Sequence, residues 1–103
     1  MKSNLRDKVR LQHILDAIEL IEKGLKDKTY EHFQKDFILQ AAIERWVEII
    51  GEASYKITKE FKSRTGGVEW KGIEGLRHVI VHKYFGIDLE RIWAVTQIGY
   101  PRT

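Results

Sequence analysis

The sequence contains no cysteine and only one proline among its 103 residues. Without cysteine there can be no disulfide and no thiolate metal site, so stability must come from packing or from a partner chain. The single proline, Pro101, lies near the end of the sequence, which favours long helices over many short strands in the preceding residues. The length fits one domain with a modest core.

Long hydrophobic runs are also missing. No apolar segment approaches the roughly 20 residues that a membrane-spanning helix needs. The first residues, MKSNLRDKVRLQ, are charged and lack the apolar region of a signal peptide, so we expect a cytoplasmic protein. The formal net charge of +3 is compatible with a nucleic-acid partner and equally with an ordinary lysine-rich surface.

Helical periodicity covers the first third of the chain. Apolar residues recur at three- and four-residue steps over residues 11–25, which predicts an amphipathic helix. Asn4 is its expected cap, and Asp7 is expected in its first turn, where the helix dipole favours an anion. Thr29 is the expected cap of a second element that begins at Tyr30.

The middle of the chain has the longest apolar stripe, which predicts one helix over most of Phe37 to Lys62. The stripe consists of Ile38, Ala42, Trp46, Ile49, Ile50, Ala53, Ile57 and Phe61. The next segment, SRTGGV at residues 63–68, is expected to be a loop. A third helix is predicted from about Lys71, with Ile73, Leu76, Ile80 and Tyr84 on one face, and a fourth follows a cap at Asp88. These elements and their short connections predict an all-α, antiparallel up-and-down four-helix bundle.

Polar chemistry is concentrated in the segment EGLRHVIVHKYFGIDL, where residues 77–84 include an arginine, two histidines and a tyrosine. The guanidinium of Arg77 is permanently charged and suits phosphate. The imidazole of His82 titrates near neutral pH and can give or take a proton. Together they can cleave an RNA phosphodiester without metal. Tyr84 can stack on a base or bond to a phosphate.

The geometry of one straight helix works against this pairing. Successive residues turn by about 100°, so Arg77 and His82 lie about 140° apart, whereas Arg77 and Tyr84 lie on nearly the same face. Two arrangements would bring the pair together: a helix that loosens before Gly86, or two copies of the helix that face each other across a dimer cleft.

Structural roles compete with the catalytic interpretation. Arg77 can pair with an acid on the preceding helix, His82 can cap a helix or lie in the core, and Tyr84 can be a core residue. A metal site is a further alternative, because Glu74, His78 and His82 follow at four-residue steps along one face. It lacks a third fixed ligand close enough to share one ion, so we expect no metal.

The order of these residues resembles a known family. Arg77-x4-His82-x-Tyr84 resembles the Arg-x4-6-His motif of HEPN domains, and the added tyrosine resembles the HepT-like subgroup. Further segments match the subgroup in order and spacing: Ile50-Gly51-Glu52-Ala53, Trp70 with Ile73, Leu76-Arg77, His82 to Asp88, and Trp93. The resemblance covers nearly the whole chain, which is therefore expected to be a single HEPN/HepT-like domain over residues 1–103.

The resemblance implies a helical bundle that dimerises with its motifs at a shared cleft. It implies a metal-independent ribonuclease, the toxin of a toxin–antitoxin pair, with Arg77 and His82 as the catalytic residues. It also implies that a minimal nucleotidyltransferase antitoxin adenylylates Tyr84, using ATP and magnesium as its own cofactors, while this chain needs none.

One position departs from the family pattern. The residue after the arginine is often asparagine in the family, and here it is His78, which can carry charge. His78 is therefore a candidate auxiliary residue in proton transfer. Two other functions remain open at this point: a non-catalytic module that binds a nucleotide or a partner and works with a nucleotidyltransferase, and a plain structural bundle.

Overall fold

A computed structural model of the chain describes residues 2–76 and 89–98, which are almost entirely helical. No strand occurs among them, so the all-α class is confirmed. The helices are α1 (Lys2–Leu25), α2 (Tyr30–Lys35), α3 (Phe37–Lys56), α4 (Lys59–Ser63), α5 (Trp70–Glu74) and α6 (Leu89–Ile98). None of these described helices is both long and apolar enough to cross a membrane. The complete four-helix bundle and its dimer stay predictions.

Helices α1 and α3 form an antiparallel pair. At one end, the guanidinium Nη1 of Arg10 donates a hydrogen bond to the carbonyl oxygen of Lys56 at 2.8 Å. At the other end, Gly24 lies against α3, and a Cβ atom built there would lie 3.2 Å from Cζ3 of Trp46. Glycine at this position therefore allows the two helices to approach closely.

The core is built mainly from the inward faces of α1 and α3 and is closed by residues of the shorter helices. Its buried members are Ile14, Ala17, Ile21, Phe33, Ile43, Val47, Ile50, Ala53, Ile57, Trp70, Ile73, Leu76 and Ile92. Burying this apolar surface is the main favourable contribution to folding, at about 25 cal/mol per Å².

The buried face of α3 matches the predicted stripe only in part: Ile50 and Ala53 are buried as expected, but other positions differ. Ile43 and Val47, which lie off that stripe, are fully buried, whereas Trp46 and Ile49 on the stripe are only half-buried. On α1, Leu15 belongs to the expected apolar face but is 45% exposed. The cause is that α3 is apolar around much of its circumference, so its neighbours decide which side is deepest.

The single helix predicted over most of Phe37 to Lys62 is divided into two helices, α3 and α4. Helix α3 ends at Lys56, because Ile57 adopts an extended backbone with φ −67° and ψ 139°. Thr58 then caps α4, its hydroxyl oxygen accepting a hydrogen bond from the N–H of Phe61 at 3.2 Å. Ile57 is itself buried, so the break brings an apolar side chain into the core.

The expected start of the first helix is wrong. Helix α1 includes residues on the N-terminal side of Asn4, so Asn4 does not cap it. Asp7 lies more than one turn inside α1, and its side chain is buried rather than exposed at a helix end. Its carboxylate accepts hydrogen bonds from Thr58, a partner 51 residues away that no local pattern indicates.

The predicted cap of the second element is confirmed. The hydroxyl oxygen of Thr29 accepts a hydrogen bond from the N–H of His32 at 3.1 Å, which starts α2. Asp36 caps α3 in the same way, its Oδ1 accepting from the N–H of Leu39 at 3.0 Å. Between α1 and α2, Asp27 adopts a left-handed backbone with φ 61° and reverses the chain.

Candidate active site

The proposed site residues Arg77, His78, His82 and Tyr84 lie outside the described residues, as do Gly86 and Asp88. How these side chains are placed relative to one another stays a prediction. The structure describes the two segments that hold the motif, α5 with Leu76 before it and α6 after it.

Helix α5 is fixed to the core immediately before the motif. Trp70, Ile73 and Leu76 are all buried, as the helical spacing of the last two predicts. The indole Nε1 of Trp70 donates a hydrogen bond to the hydroxyl of Thr65 at 2.8 Å, and the Trp70 ring meets Phe61 edge-on. Because Leu76 is buried, the chain enters the motif from a defined point of the core.

A partly buried ion pair joins α4 to α5. The ammonium Nζ of Lys62 lies 2.9 Å from a carboxylate oxygen of Glu74, and the two side chains are 16% and 28% exposed. The same ammonium lies 5.7 Å from the centre of the Trp70 ring. The carboxylate of Glu74, which the metal alternative invoked, is thus engaged by a lysine. No group of three or more metal-binding side chains occurs within residues 2–76 and 89–98.

Helix α6 returns the chain to the same core after the motif. Ile92 is fully buried, and the half-buried Trp93 contacts the rings of Tyr30 and Phe33 in α2 at centroid distances of 5.8 and 5.5 Å. The hydroxyl of Thr96 is buried and donates to the carbonyl oxygen of Trp93 at 2.6 Å. Both ends of the segment 77–88 are therefore anchored to one hydrophobic core.

The two histidines outside the motif, His13 and His32, are on the surface. His13 is exposed on α1, and His32 is exposed on α2 with its Nε2 atom 3.3 Å from the carboxylate of Asp36. The N–H of Leu39, with help from His32, holds the pKa of Asp36 below its ordinary value. Asp36 caps a helix, so this shift reports a structural role.

Sequence reasoning missed one further surface, an open groove of about 730 Å³ between α1 and α3. Leu5, Val9 and Leu20 of α1 line it and are 67, 49 and 41% exposed. Their spacing of four and eleven residues forms a second apolar stripe on α1, turned away from the buried face. That stripe is the signal that could have indicated the groove.

The comparisons with known proteins support the family resemblance. A model of the ribonuclease HepT-like family matches residues 14–102. A probable ribonuclease HepT of Thermococcus cleftensis is 36% identical over 91 residues, covering 88% of this chain and 83% of that protein. A putative RNase of Caldanaerobacter subterraneus is 41% identical over 83 residues, covering 81% of this chain and 74% of that one.

A longer relative also matches. A protein of Methanocaldococcus jannaschii named as a gamma-glutamylcyclotransferase and putative RNase is 41% identical over 95 residues. That match covers 92% of this chain, which spans only 43% of the relative's length. No solved structure matches the chain.

The fold and the motif together describe a class of protein: a helical protein in which an arginine–histidine motif follows one core-anchored helix in the sequence and precedes another. The chain belongs to the ribonuclease HepT-like family.

Proposed function

We propose that this chain is an endoribonuclease that cleaves RNA without a metal ion, with Arg77 and His82 as its catalytic pair. The observation that carries the proposal is the family match over residues 14–102, which includes both residues. Relatives that share 36 to 41% of their residues with the chain are named as ribonucleases.

The chemistry follows from the two side chains. The ribose 2′-oxygen attacks phosphorus and the 5′-oxygen of the next nucleotide leaves, so one proton must be removed and one supplied. The imidazole of His82 performs one of these transfers, and the guanidinium of Arg77 stabilises the negative charge that builds on the phosphate oxygens. His78 is the candidate for the second transfer, because an imidazole there can also carry a proton.

The proposed active form is a homodimer. On one straight helix Arg77 and His82 are about 140° apart, which is too wide for both to reach one phosphate easily. Two motifs that face each other across a two-fold axis solve this problem, since an arginine of one copy then meets a histidine of the other.

The proposed biological role is that of a toxin in a cytoplasmic toxin–antitoxin pair. The antitoxin is a minimal nucleotidyltransferase that transfers an adenylyl group from ATP to the hydroxyl of Tyr84 and releases pyrophosphate. Tyr84 is two residues from His82, so an attached nucleotide would fill the space that the RNA needs and would add negative charge beside the catalytic groups.

The test of the nuclease is RNA cleavage by the purified full chain, with and without a chelator. We expect chelator-resistant cleavage, abolished by Arg77→Ala and by His82→Ala with an unchanged melting temperature. His32→Ala is the matched control, because His32 is an exposed histidine away from the motif. Full activity in both motif variants would reject the assignment. A wild-type chain that binds nucleotide or a nucleotidyltransferase but never cleaves RNA would favour the non-catalytic module.

The test of the modification is incubation with the cognate nucleotidyltransferase, ATP and magnesium, followed by mass spectrometry. We expect an adenylyl adduct on the wild-type chain and none on Tyr84→Phe. Tyr55→Phe is the control, since Tyr55 is 62% exposed on α3. An adduct that persists in Tyr84→Phe would place the modification elsewhere.

A further inference from the structure

The groove between α1 and α3 has an apolar floor that no described residue covers. Val9 and Leu20 line one wall, and the half-buried Trp46 and Ile49 line the other. Exposed apolar side chains scattered singly are ordinary, whereas a continuous apolar groove flanked by charges is typical of an interaction site.

The charges around this groove are not balanced. Four cationic side chains line it, Arg6, Arg10, Arg45 and Lys56, against two carboxylates, Asp16 and Glu52. Arg45 is also paired with Glu48 of α3, so the excess of positive charge rests on Arg6, Arg10 and Lys56. Three of the cations gather at one end, because the hydrogen bond from Arg10 to Lys56 brings the start of α1 beside the end of α3. The groove therefore has a basic end as well as an apolar floor.

We propose that this groove binds an amphipathic α-helix of a partner protein, with apolar residues on the floor and acidic residues against Arg6, Arg10 and Lys56. The stripe from Leu5 to Leu20 spans 15 residue steps at about 1.5 Å each, or roughly 22 Å, which is the length of about four helical turns. A ridge of i, i+4, i+7 and i+11 side chains suits a groove between two helices.

A second copy of the chain and single-stranded RNA are two other candidate occupants of the groove, and the charges and the apolar floor favour the acidic helix over both. A second copy of the chain would bring the same excess of positive charge to the interface, and like charges oppose such pairing. Single-stranded RNA would satisfy the cations and could stack a base on Trp46, but it would leave the aliphatic side chains of Val9, Leu20 and Ile49 exposed. An acidic amphipathic helix satisfies both features together.

The probe is a stapled helical peptide of 18 residues with leucines at i, i+4, i+7 and i+11 and glutamates flanking them, measured by fluorescence anisotropy with the full chain. One control peptide replaces each glutamate by lysine, and another replaces each leucine by serine. We expect the glutamate peptide to bind at least about tenfold more tightly than either control, with affinity falling as salt rises.

Variants of the chain locate the binding. Val9→Asp should weaken binding of the glutamate peptide by about tenfold or more, because it places a carboxylate on the apolar floor. Leu15→Asp is the matched control: Leu15 is 45% exposed on α1, close to the 49% of Val9, but does not line the groove. Arg6→Glu should weaken the glutamate peptide and improve the lysine peptide. Circular dichroism checks that each variant keeps its helix content.

Four results would overturn the proposal. Equal binding of the glutamate and lysine peptides would show that charge does not select the partner. Equal effects of Val9→Asp and Leu15→Asp would show that the peptide does not bind in the groove. Loss of a dimer in sedimentation for Val9→Asp, without any peptide binding to the wild type, would assign the groove to a second copy. Displacement of the glutamate peptide by single-stranded RNA at equal or lower concentration would assign it to RNA. None of these outcomes depends on RNA cleavage, so this proposal and the ribonuclease proposal fail separately.

Discussion

Asp7 and Thr58, 51 residues apart in the chain, are joined by two hydrogen bonds that fix α1 to the start of α4. The carboxylate of Asp7 accepts from the N–H of Thr58 at 3.0 Å and from its hydroxyl at 2.7 Å. The same hydroxyl oxygen accepts from the N–H of Phe61 and so caps α4. One buried carboxylate thereby stabilises the interruption between α3 and α4. From there the chain continues through α4 to α5 and the motif.

Removing this carboxylate should be costly. We expect Asp7→Ala to lower the free energy of unfolding by about 1–3 kcal/mol, because the N–H and hydroxyl of Thr58 lose their buried acceptor. Asp16→Ala, at an exposed aspartate of the same helix, should change it by less than about 0.5 kcal/mol. Urea unfolding followed by circular dichroism measures both. Equal stability of the two variants would mean that the Asp7–Thr58 bonds contribute little.

The carboxylate of Asp7 should also make the free energy of unfolding depend on pH in the acid range. Burial alone raises the pKa of Asp7, but the hydrogen bonds from Thr58 and the positive charges of Arg10 and Arg64 outweigh it and hold the pKa below its ordinary value. The stabilisation is therefore fully present above the unfolded-state pKa of about 3.9 and is lost as pH falls through the lower folded-state pKa. Asp7→Asn should flatten the acid limb of a stability–pH curve.

Asp36 provides the comparison for that measurement. Its pKa is also held below the ordinary value, chiefly by the N–H of Leu39, so its contribution has the same sign. Asp36→Asn should remove a smaller part of the acid dependence than Asp7→Asn, because Asp36 is more exposed and water screens its interactions. An unchanged acid limb in Asp7→Asn would contradict the role assigned to that carboxyl.

Two helical glycines should differ in how much side chain they tolerate. A Cβ atom at Gly72 would meet nothing within 4 Å, so Gly72→Ala should raise stability by about 0.5–1 kcal/mol through helix propensity. At Gly24 the Cβ atom would lie 3.2 Å from the Trp46 ring, so Gly24→Ala should gain less and Gly24→Val should destabilise by about 1–3 kcal/mol. Melting temperatures should therefore fall in the order Gly72→Ala, Gly24→Ala, Gly24→Val. A Gly24→Val variant that melts above the wild type would contradict this prediction.

The hydrogen bond between Trp70 and Thr65 anchors α5, so substitutions of the two residues should have coupled effects on stability. Trp70→Phe keeps an aromatic ring but removes the indole donor to Thr65 and fills less of the core, so it should cost about 1–3 kcal/mol, and Thr65→Val should cost about 1 kcal/mol. Because both changes break the same bond, the double variant should cost less than the sum of the two. A double-mutant cycle from urea unfolding measures this coupling. Strict additivity would show that the bond carries no net stability.

The histidine after the motif arginine should influence proton transfer. We expect His78→Asn to retain RNA cleavage, because asparagine often stands there in the family, but to change the shape of the pH–rate profile, since asparagine cannot titrate. Cleavage rates of wild type and variant between about pH 5 and 9 provide the measurement. Superimposable profiles would remove His78 from the chemistry.

Local patterns predicted most of the helices but not how they face one another. The cap at Thr29 and the burial of Ile73 and Leu76 follow from short-range rules, because caps and helical spacing involve residues only a few positions apart. The break at Ile57 was not predictable in that way. The residues on both sides continue a helical pattern, and the interruption is stabilised by Asp7 from another helix.

For the candidate site, too, some features could be predicted from the sequence and others required the structure. Residue types gave a guanidinium and an imidazole at Arg77 and His82, and the resemblance of the ordered motifs to a known family indicated the family to which the chain belongs. The chemistry of a side chain is a property of the residue, so it can be read from the sequence. That both ends of the motif are anchored to one core, and that an apolar groove with a basic end lies between α1 and α3, required the folded chain. Such features arise from contacts between distant residues, which helical periodicity does not encode.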